Sequence, residues 1–398
     1  MAAEPAQSRS TVVAALGTSQ TLAWASSYYL PAILAEPISA GVGVPRAWVF
    51  GAFTVSLLIA AFAGPYVGRV IDRYGGRGVL VLSNAVLAAG LIALAAATGP
   101  LSLFFAWVLL GAGMSLGLYD AAFATLTRLY GHDARGPITG ITLIAGFAST
   151  VGWPLSAYLD HALGWRETCL VWAALNLLVA LPLNRFLLPV PPQTALSADD
   201  APGAPVAPVG WKPYREMFLL AFVFGATWFV TGSMAAHLPG LLERAGATPF
   251  EAVAAAALVG PAQVGARIAE FLILRRVHPL LSARIAATLH PAGVAVLLLA
   301  GPPGAMLFAI LYGAGNGMMT IARGTLPLAI FGPRGYGARS GLLGAPARAA
   351  QALAPMLFGL LLDGMGVSAI FVSAGLCFAA LGALLCLRPA RGKGRDEG

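Results

Sequence analysis

The sequence is poor in charge: Asp, Glu, Lys and Arg make up only 10% of its 398 residues, whereas 58% are hydrophobic. A soluble globular domain carries about a quarter charged residues, so this composition excludes a water-soluble protein. Cysteine is also scarce, with three residues that show no CxxC spacing. This scarcity argues against a disulfide framework and against a structural zinc site.

The common signatures of enzyme chemistry are missing as well. The sequence has no Walker loop, no HExxH and no recognisable set of nucleophile, histidine and acid. The net charge of +8 would suggest nucleic acid as a partner, but the basic residues are placed between apolar runs. We therefore expect no enzyme activity, no cofactor, no metal and no nucleic-acid partner.

What the sequence contains is a series of twelve apolar runs, which we call spans 1 to 12. A helix that crosses a bilayer needs roughly 20 apolar residues, and each run is long enough. The runs cover 12–36, 47–69, 78–98, 101–128, 136–159, 167–188, 215–240, 249–274, 279–300, 303–331, 340–362 and 367–388. The pattern predicts an all-α membrane protein with twelve transmembrane helices, which contacts lipid over its whole outer surface.

One long interruption divides these spans into two sets of six. The segment 189–214 is rich in proline and is typical of a connector. The predicted organisation is an N-terminal tail (1–11), a first six-helix bundle (12–188), a linker (189–214), a second bundle (215–388) and a C-terminal tail (389–398). We expect a monomer.

The distribution of Lys and Arg predicts the orientation. Short loops that carry these residues stay on the cytoplasmic side. With a cytoplasmic N-terminus, most of the basic residues lie at cytoplasmic ends, and only Arg46, Arg166 and Arg244 lie outside. The sequence thus predicts a multi-pass protein of the bacterial inner membrane with both termini in the cytoplasm.

An internal repeat relates the two halves. The Gly111-Ala112-Gly113 triplet in span 4 recurs as Gly313-Ala314-Gly315 in span 10, and Gly64-Pro65 in span 2 recurs as Gly260-Pro261 in span 8. Repeats of this kind are typical of transporters whose substrate site lies between two pseudo-symmetric bundles near the bilayer midplane.

The segment 68–77, between spans 2 and 3, reads GRVIDRYGGR. Gly68 allows the helix end to pack closely, and Asp72 can cap or pair with a basic group at a neighbouring helix start. Gly75 and Gly76 supply turn conformations that other residues rarely adopt.

This segment resembles the loop between helices two and three of the major facilitator superfamily. The resemblance implies a fold of two six-helix bundles and transport of a small solute by alternating access. It also implies a cytoplasmic gate motif of Gly68, Asp72, Arg73, Gly75 and Arg77. By this resemblance, Asp72 and Arg73 would latch the gate against span 11 near Arg339. The alternative is a basic turn that only sets topology.

Within that superfamily, spans 2 and 8 are similar to those of bacterial monocarboxylate-type carriers. The similarity lies in Gly64-Pro65-x-x-Gly68 and in 265–268, which reads GARI. It implies that Arg267 binds a substrate carboxylate. Two differences weaken the likeness: span 1 has no lysine, and Gln263 stands where the group has an acidic residue.

Five ionisable side chains are predicted inside the membrane: Asp120, Arg267, Glu270, Arg323 and Arg348. Such groups cost about 2.5–3.5 kcal/mol at the bilayer centre, so each is expected to face a partner or a wet cavity. Asp120 and Glu270 are the candidates for carrying a coupling proton. The alternative for Asp120 is a permanent ion pair with Arg348 or Arg323 across the two halves.

Each arginine has a polar companion at helical spacing. Gln263, Arg267 and Glu270 share one face of span 8, and the other companions are Asn316 with Arg323 in span 10 and Gln351 with Arg348 in span 11. Arg267 either grips an anionic substrate with its planar guanidinium or forms a gate salt bridge with Glu270 or a neighbouring helix.

Aromatic and polar side chains extend the candidate substrate site. Gln20, Trp24 and Tyr28 share one face of span 1, and span 7 offers Trp228 and His237. Rings with a polar edge suit a small organic solute, although Tyr28 could instead anchor the membrane interface.

These features favour secondary transport of a small organic anion, driven by a proton or a counter-solute. An alternative is proton-driven efflux of a drug or metabolite, which Gly146, Gly152 and Pro154 in span 5 weakly suggest. A third possibility, from another class, is a non-transporting membrane sensor.

Overall fold

The computed structural model describes residues 7–190, 212–274 and 277–387, and its regular structure there is all helical. Most of the predicted linker and both tails lie outside the described residues. Within them, nine helical stretches are long and apolar enough to cross a bilayer. Two of these, Pro100–Leu163 and Tyr336–Cys386, hold two spans each. The helix pair at the start of the chain adds span 1, so the spans number twelve as predicted.

The helices of the first half are Arg9–Ser26 with Leu30–Val42 (span 1), Arg46–Tyr74 (span 2), Arg77–Ala95 (span 3), Pro100–Gly117 with Tyr119–Tyr130 (span 4), Arg135–Ala145 with Ala148–Leu163 (span 5) and Trp165–Leu175 with Leu181–Leu187 (span 6). Those of the second half are Lys212–Arg244 (span 7), Pro249–Ala257 with Val259–Ile273 (span 8), Pro279–Ala300 (span 9), Ala305–Phe331 (span 10), Tyr336–Met365 (span 11) and Ala369–Cys386 (span 12).

Several spans are interrupted at membrane depth. Span 1 breaks just before Pro31, whose ring nitrogen has no hydrogen to donate. Span 4 breaks at Leu118, which has extended backbone angles, and span 5 breaks after Ala145. Irregular backbone is tolerated in a membrane protein only where it is buried in protein or lines a cavity. The break in span 4 fits this rule, since Leu118 is buried and lines the central cavity.

The glycine repeat has the same packing role in both halves. In span 4, Gly111 packs on span 2 and Gly113 packs on span 3. In span 10, Gly313 packs on span 8 and Gly315 packs on span 9. A Cβ atom at any of the four would come within 2.6–2.8 Å of the neighbouring helix. The predicted pseudo-symmetry is thus present at the level of single contacts.

We call one end of the molecule the basic end: there residues 75–76, 131–134 and 332–335 connect the spans, and residues 274, 277 and 278 lie between spans 8 and 9. In the described ranges, hydrogen bonds between the halves run from this end to the level of Gln351, whose side chain meets Tyr28 of span 1. None is found nearer the opposite end in the part of the chain that the structure describes. The two bundles are therefore held together at the basic end.

Candidate functional site

An ion cluster joins the two halves at the centre of the molecule. The Oδ2 atom of Asp120 in span 4 accepts hydrogen bonds from Arg323 Nη2 at 2.8 Å and from Arg348 Nη2. The three side chains are 7–10% exposed. One carboxylate is shared by two guanidinium groups, so the cluster has a net positive charge.

The surroundings of the cluster hold each arginine in place. The Arg323 guanidinium lies 4.4 Å from the centre of the Trp228 ring, a cation–π contact. Arg348 Nη1 donates to the carbonyl of Ala60 in span 2 at 2.9 Å. Gly344 leaves the room that the cluster needs, because a Cβ there would lie 2.8 Å from Asp120 Oδ2. Of the two alternatives for Asp120, the geometry shows the ion pair, with both arginines at once.

Arg267 forms a second, separate cationic group. Its side chain is buried, and it is in contact with span 10 and with span 5 of the other half. All its hydrogen bonds are long: 3.4 Å to the Gly317 carbonyl, 3.3 Å to the Thr142 carbonyl and 3.5 Å to Thr320 Oγ1. Optimal bonds of this type are about 2.9 Å long. Arg267 has no carboxylate partner among the described residues.

Of the alternatives for Arg267, the salt bridge with Glu270 is not formed among the described residues. Glu270 is buried beside Ser282 of span 9 and within electrostatic range of Arg135, and its Oε2 atom has no hydrogen-bond partner in the described part of the chain. The two residues share a helix face, but the Arg267 guanidinium extends toward spans 5 and 10. Among the described residues, the charge of Arg267 therefore has no ion-pair partner.

Two further expected companions also have other partners. The Asn316 side chain accepts a hydrogen bond from Thr231 of span 7 at 3.0 Å, whereas Arg323 pairs with Asp120. Gln351 donates to the Tyr28 hydroxyl at 2.5 Å. The polar stripes on spans 10 and 11 thus serve contacts between helices.

A small cavity of about 20 Å³ lies beside the ion cluster. It is lined by Trp24, Tyr28, Leu57, Ala60, Met114, Leu118, Tyr119, Asp120, Trp228, Arg323, Arg348 and Gln351. About 10–15 Å³ holds one water molecule, so an organic solute needs the halves to separate around it. Tyr119, which lines this cavity, is also close enough to Arg267 to feel its charge. Tyr119 therefore neighbours both Arg267 and the ion cluster.

The remaining candidates from spans 1, 7 and 8 divide into two groups. Gln20 is buried next to the cavity wall and donates to the Gly117 carbonyl at the break in span 4. His237 lies away from the cavity, where its Nε2 atom is 2.7 Å from the Pro355 carbonyl. The backbone of Gln263 packs against Gly317, and its side chain does not line the cavity.

A latch between the halves lies at the basic end. The Asp72 carboxylate accepts hydrogen bonds from the backbone N–H groups of Gly337 and Ala338, both at 2.8 Å. These groups are at the N-terminus of span 11, where the helix dipole favours a negative charge. Arg73, expected to share this role, is exposed and lies over the Tyr74 ring instead.

Gly75 and Gly76, which form the turn of the same segment, have different roles. Gly75 has a φ angle of +85°, the left-handed region that favours glycine. Gly76 has a φ angle of −91°, which any residue can adopt, so the prediction of a special turn conformation is wrong there. Gly76 is needed for close packing, because a Cβ would lie 1.7 Å from Thr125 Oγ1. Arg77 begins span 3.

A second latch of opposite polarity lies nearby. Arg135, at the start of span 5, donates to the carbonyls of Leu274 and Val277 at 3.2 and 2.6 Å. These carbonyls follow the C-terminus of span 8, where a positive charge is favoured. Burial, followed by the charges of Arg135 and Arg284, lowers the pKa of His278 in this loop, so His278 is neutral at pH 7.

We expect Asp72→Asn to weaken the closure of the basic end. Asparagine keeps one acceptor oxygen but loses the charge, which is worth up to about 2 kcal/mol at a partly buried helix N-terminus. Spin labels at residues 73 and 334, which are both exposed, would report the distance across this end. The population with separated halves should rise, and it should rise further in Asp72→Asn/Arg135→Gln. An unchanged distance distribution in the double variant would exclude the latches.

Some residues of the site were not predicted from the sequence. Thr320 lies between Asn316 and Arg323 at spacings of four and three, so helical periodicity could have found it. The Thr142 carbonyl could not be found in this way, because it belongs to the backbone of the other half. Gly146 is also explained only by the fold: a Cβ there would lie 2.5 Å from Arg267 Nη1.

The comparison with protein families decides the identity of this fold. The model of the Major Facilitator Superfamily matches residues 13–326. The chain belongs to this superfamily. It is a multi-pass membrane transporter with two six-helix bundles, and the resemblance of segment 68–77 is thereby confirmed.

Individual relatives of this major facilitator protein are distant. An uncharacterized 38 kDa protein in the 23S RNA operon of Thermoproteus tenax is 30% identical over 345 residues, which are 85% of each chain. The 3-(3-hydroxy-phenyl)propionate transporter of Escherichia coli K12 is 27% identical over 219 residues, 52% of this chain and 49% of that protein. The solved structure of the transporter FucP in the outward conformation has a TM-score of 0.74 at 14% identity, and the alignment covers 94% of this chain and 97% of FucP.

Proposed function

We propose that this transporter carries a small organic anion across the bacterial inner membrane by alternating access, with both chain termini in the cytoplasm. The observation that carries the proposal is Arg267: a buried guanidinium between the halves with long hydrogen bonds and no carboxylate partner among the described residues. A buried charge without a counter-ion is costly in a membrane protein, so this site favours binding of an anion.

The charge of the central region supports the same proposal. Arg267, Arg323 and Arg348 face the interface between the halves, and Asp120 is the only carboxylate in direct contact with any of them in the described ranges. A substrate carboxylate supplies the missing negative charge, and the planar fork of an arginine binds it through two parallel hydrogen bonds. A relative that transports a phenylpropionate is consistent with an anionic substrate.

The two latches indicate from which side of the membrane the substrate enters. Asp72 and Arg135 hold the halves together at the basic end, which is the predicted cytoplasmic side. The substrate would therefore enter from the opposite side and reach the arginines before the basic end opens.

Transport assays with Arg267→Gln test the proposal. Wild-type protein in liposomes should accumulate one or more radiolabelled monocarboxylates, and Arg267→Gln should lower kcat/KM at least about 50-fold, since a charge-assisted pair is lost. Arg284→Gln is the matched control. Arg284 also donates to backbone carbonyls, at 3.0 Å, but these belong to residues 384 and 387 at the end of span 12, so its contacts stay within the second half. Equal activity of Arg267→Gln and wild type would reject the anion assignment.

The same variant separates anion transport from export of a drug or metabolite. Export of a drug or metabolite was suggested by the glycines of span 5, but Gly146 makes room for Arg267 and so fits the anion site equally well. Transport of uncharged toxic compounds that survives Arg267→Gln would favour the export alternative.

A further inference from the structure

Span 1 carries two buried polar atoms that have no hydrogen-bond partner in the described part of the chain. Gln20 is 1% exposed, and its Nε2 group donates to the Gly117 carbonyl while its Oε1 atom is unpaired. Trp24 is 7% exposed, lines the central cavity and has an unpaired Nε1–H group. An unpaired buried polar group costs about 1–3 kcal/mol. What sets this pair apart is its position: Trp24 lines the central cavity and Gln20 lies one turn away on the same helix, where a ligand that enters the cavity comes close to both.

The two atoms have complementary hydrogen-bonding character. Gln20 and Trp24 are four residues apart and share one face of the helix. The contact of Gln20 Nε2 with the Gly117 carbonyl fixes the amide, so Oε1 faces away and can only accept. Trp24 Nε1 can only donate. A hydroxyl group satisfies both atoms, because it donates one hydrogen and accepts another; a carboxylate or an ammonium group satisfies only one.

The surroundings suit the apolar body of such a ligand. The Trp24 ring lies 5.2 Å from that of Tyr28, edge to face, and 4.9 Å from that of Tyr119. The cavity that these rings line reaches Arg323 and Arg348 on its other wall. One wall is therefore aromatic and carries the Trp24 donor, with Gln20 one helical turn away behind it, and the other wall is cationic.

We propose that the substrate is a hydroxylated organic anion. Its hydroxyl group binds between Gln20 Oε1 and Trp24 Nε1, while its carboxylate binds at the central arginines named above, Arg267, Arg323 and Arg348. This proposal rests on the proposed anion transport and adds the hydroxyl as the feature that the transporter selects. A site built to bind a hydroxyl discriminates strongly against the analogue that lacks it, because its polar groups are then left unpaired.

The test uses pairs of monocarboxylates that differ only by a hydroxyl: lactate with propionate, and 3-(3-hydroxyphenyl)propionate with 3-phenylpropionate. In proteoliposomes, kcat/KM of the wild type should be at least about tenfold higher for the hydroxylated member of one pair. Gln20→Met and Trp24→Phe should each reduce this ratio to about threefold or less. They should do so by slowing the hydroxylated substrate more than its partner, and a melting temperature in detergent close to that of the wild type shows that each variant is folded.

Trp107→Phe is the matched control, since Trp107 Nε1 is also buried and unpaired but does not line the cavity. Its ratio of kcat/KM values, hydroxylated substrate over partner, should equal that of the wild type. Two results would overturn the hydroxyl site while leaving anion transport intact. One is equal kcat/KM of the wild type for both members of each pair; the other is a wild-type ratio of kcat/KM values in Gln20→Met and Trp24→Phe. Failure to transport any carboxylate would overturn both proposals.

Discussion

Asp120→Ala should lower the free energy of unfolding by about 3–5 kcal/mol, because it leaves two buried guanidinium groups without their shared counter-ion. The expected measurement is a large fall in the apparent melting temperature in detergent. Asp363→Ala is the matched control. It removes the carboxylate of an exposed pair with Arg244, whose atoms are 3.3 Å apart, and such pairs contribute about 0–1 kcal/mol.

A double variant tests the electrostatic cause of this loss. Asp120→Asn should also be destabilising, since the cluster gains one net positive charge. Asp120→Asn/Arg348→Gln restores the original net charge and should be more stable than Asp120→Asn alone, although residues in contact rarely behave additively. If the second substitution instead lowers the melting temperature further, the arginines are held by packing and not by the charge of Asp120.

Gly68→Val should shift the transporter toward a state that is open at the basic end. A Cβ atom at Gly68 would lie 2.0 Å from the carbonyl oxygen of Gly337, and one at Gly337 would lie 2.4 Å from the oxygen of Gly68. The backbones of spans 2 and 11 therefore touch, and any side chain must push them apart. Overpacking costs about 1–3 kcal/mol, which corresponds to a shift of roughly 5–150-fold in the balance between two states.

The label pair at residues 73 and 334 measures this shift as a longer distance in Gly68→Val. Gly78→Val is the control, because a Cβ at Gly78 meets nothing within 4 Å. Loss of transport with an unchanged distance in Gly68→Val would mean that the glycine acts on the cycle without setting the closed state.

The number and the approximate position of the spans were predictable from sequence. An apolar run of about 20 residues has one stable arrangement in a bilayer, a helix with all its hydrogen bonds internal. The repeat of Gly111 and Gly113 as Gly313 and Gly315 likewise indicated equal packing, because glycine in a membrane helix is commonly a point of close approach. Segment 68–77 indicated the superfamily, which the family comparison then confirmed.

The breaks in the helices were only partly predictable. Pro31 accounts for the break in span 1. Leu118, where span 4 breaks, is not a helix-breaking residue; only the contact of Gln20 with the Gly117 carbonyl shows how the freed backbone is satisfied.

Helical spacing determined which polar side chains share a face, and position inside the spans identified Asp120, Arg267, Glu270, Arg323 and Arg348 as a set. Neither determined their partners. Glu270 follows Arg267 by one turn, yet the first is buried beside span 9 and the second contacts spans 5 and 10. Partner choice depends on distances of a few ångströms between helices that are far apart in the chain. Only the packing of the two halves decided those distances, and with them which guanidinium remains without a carboxylate.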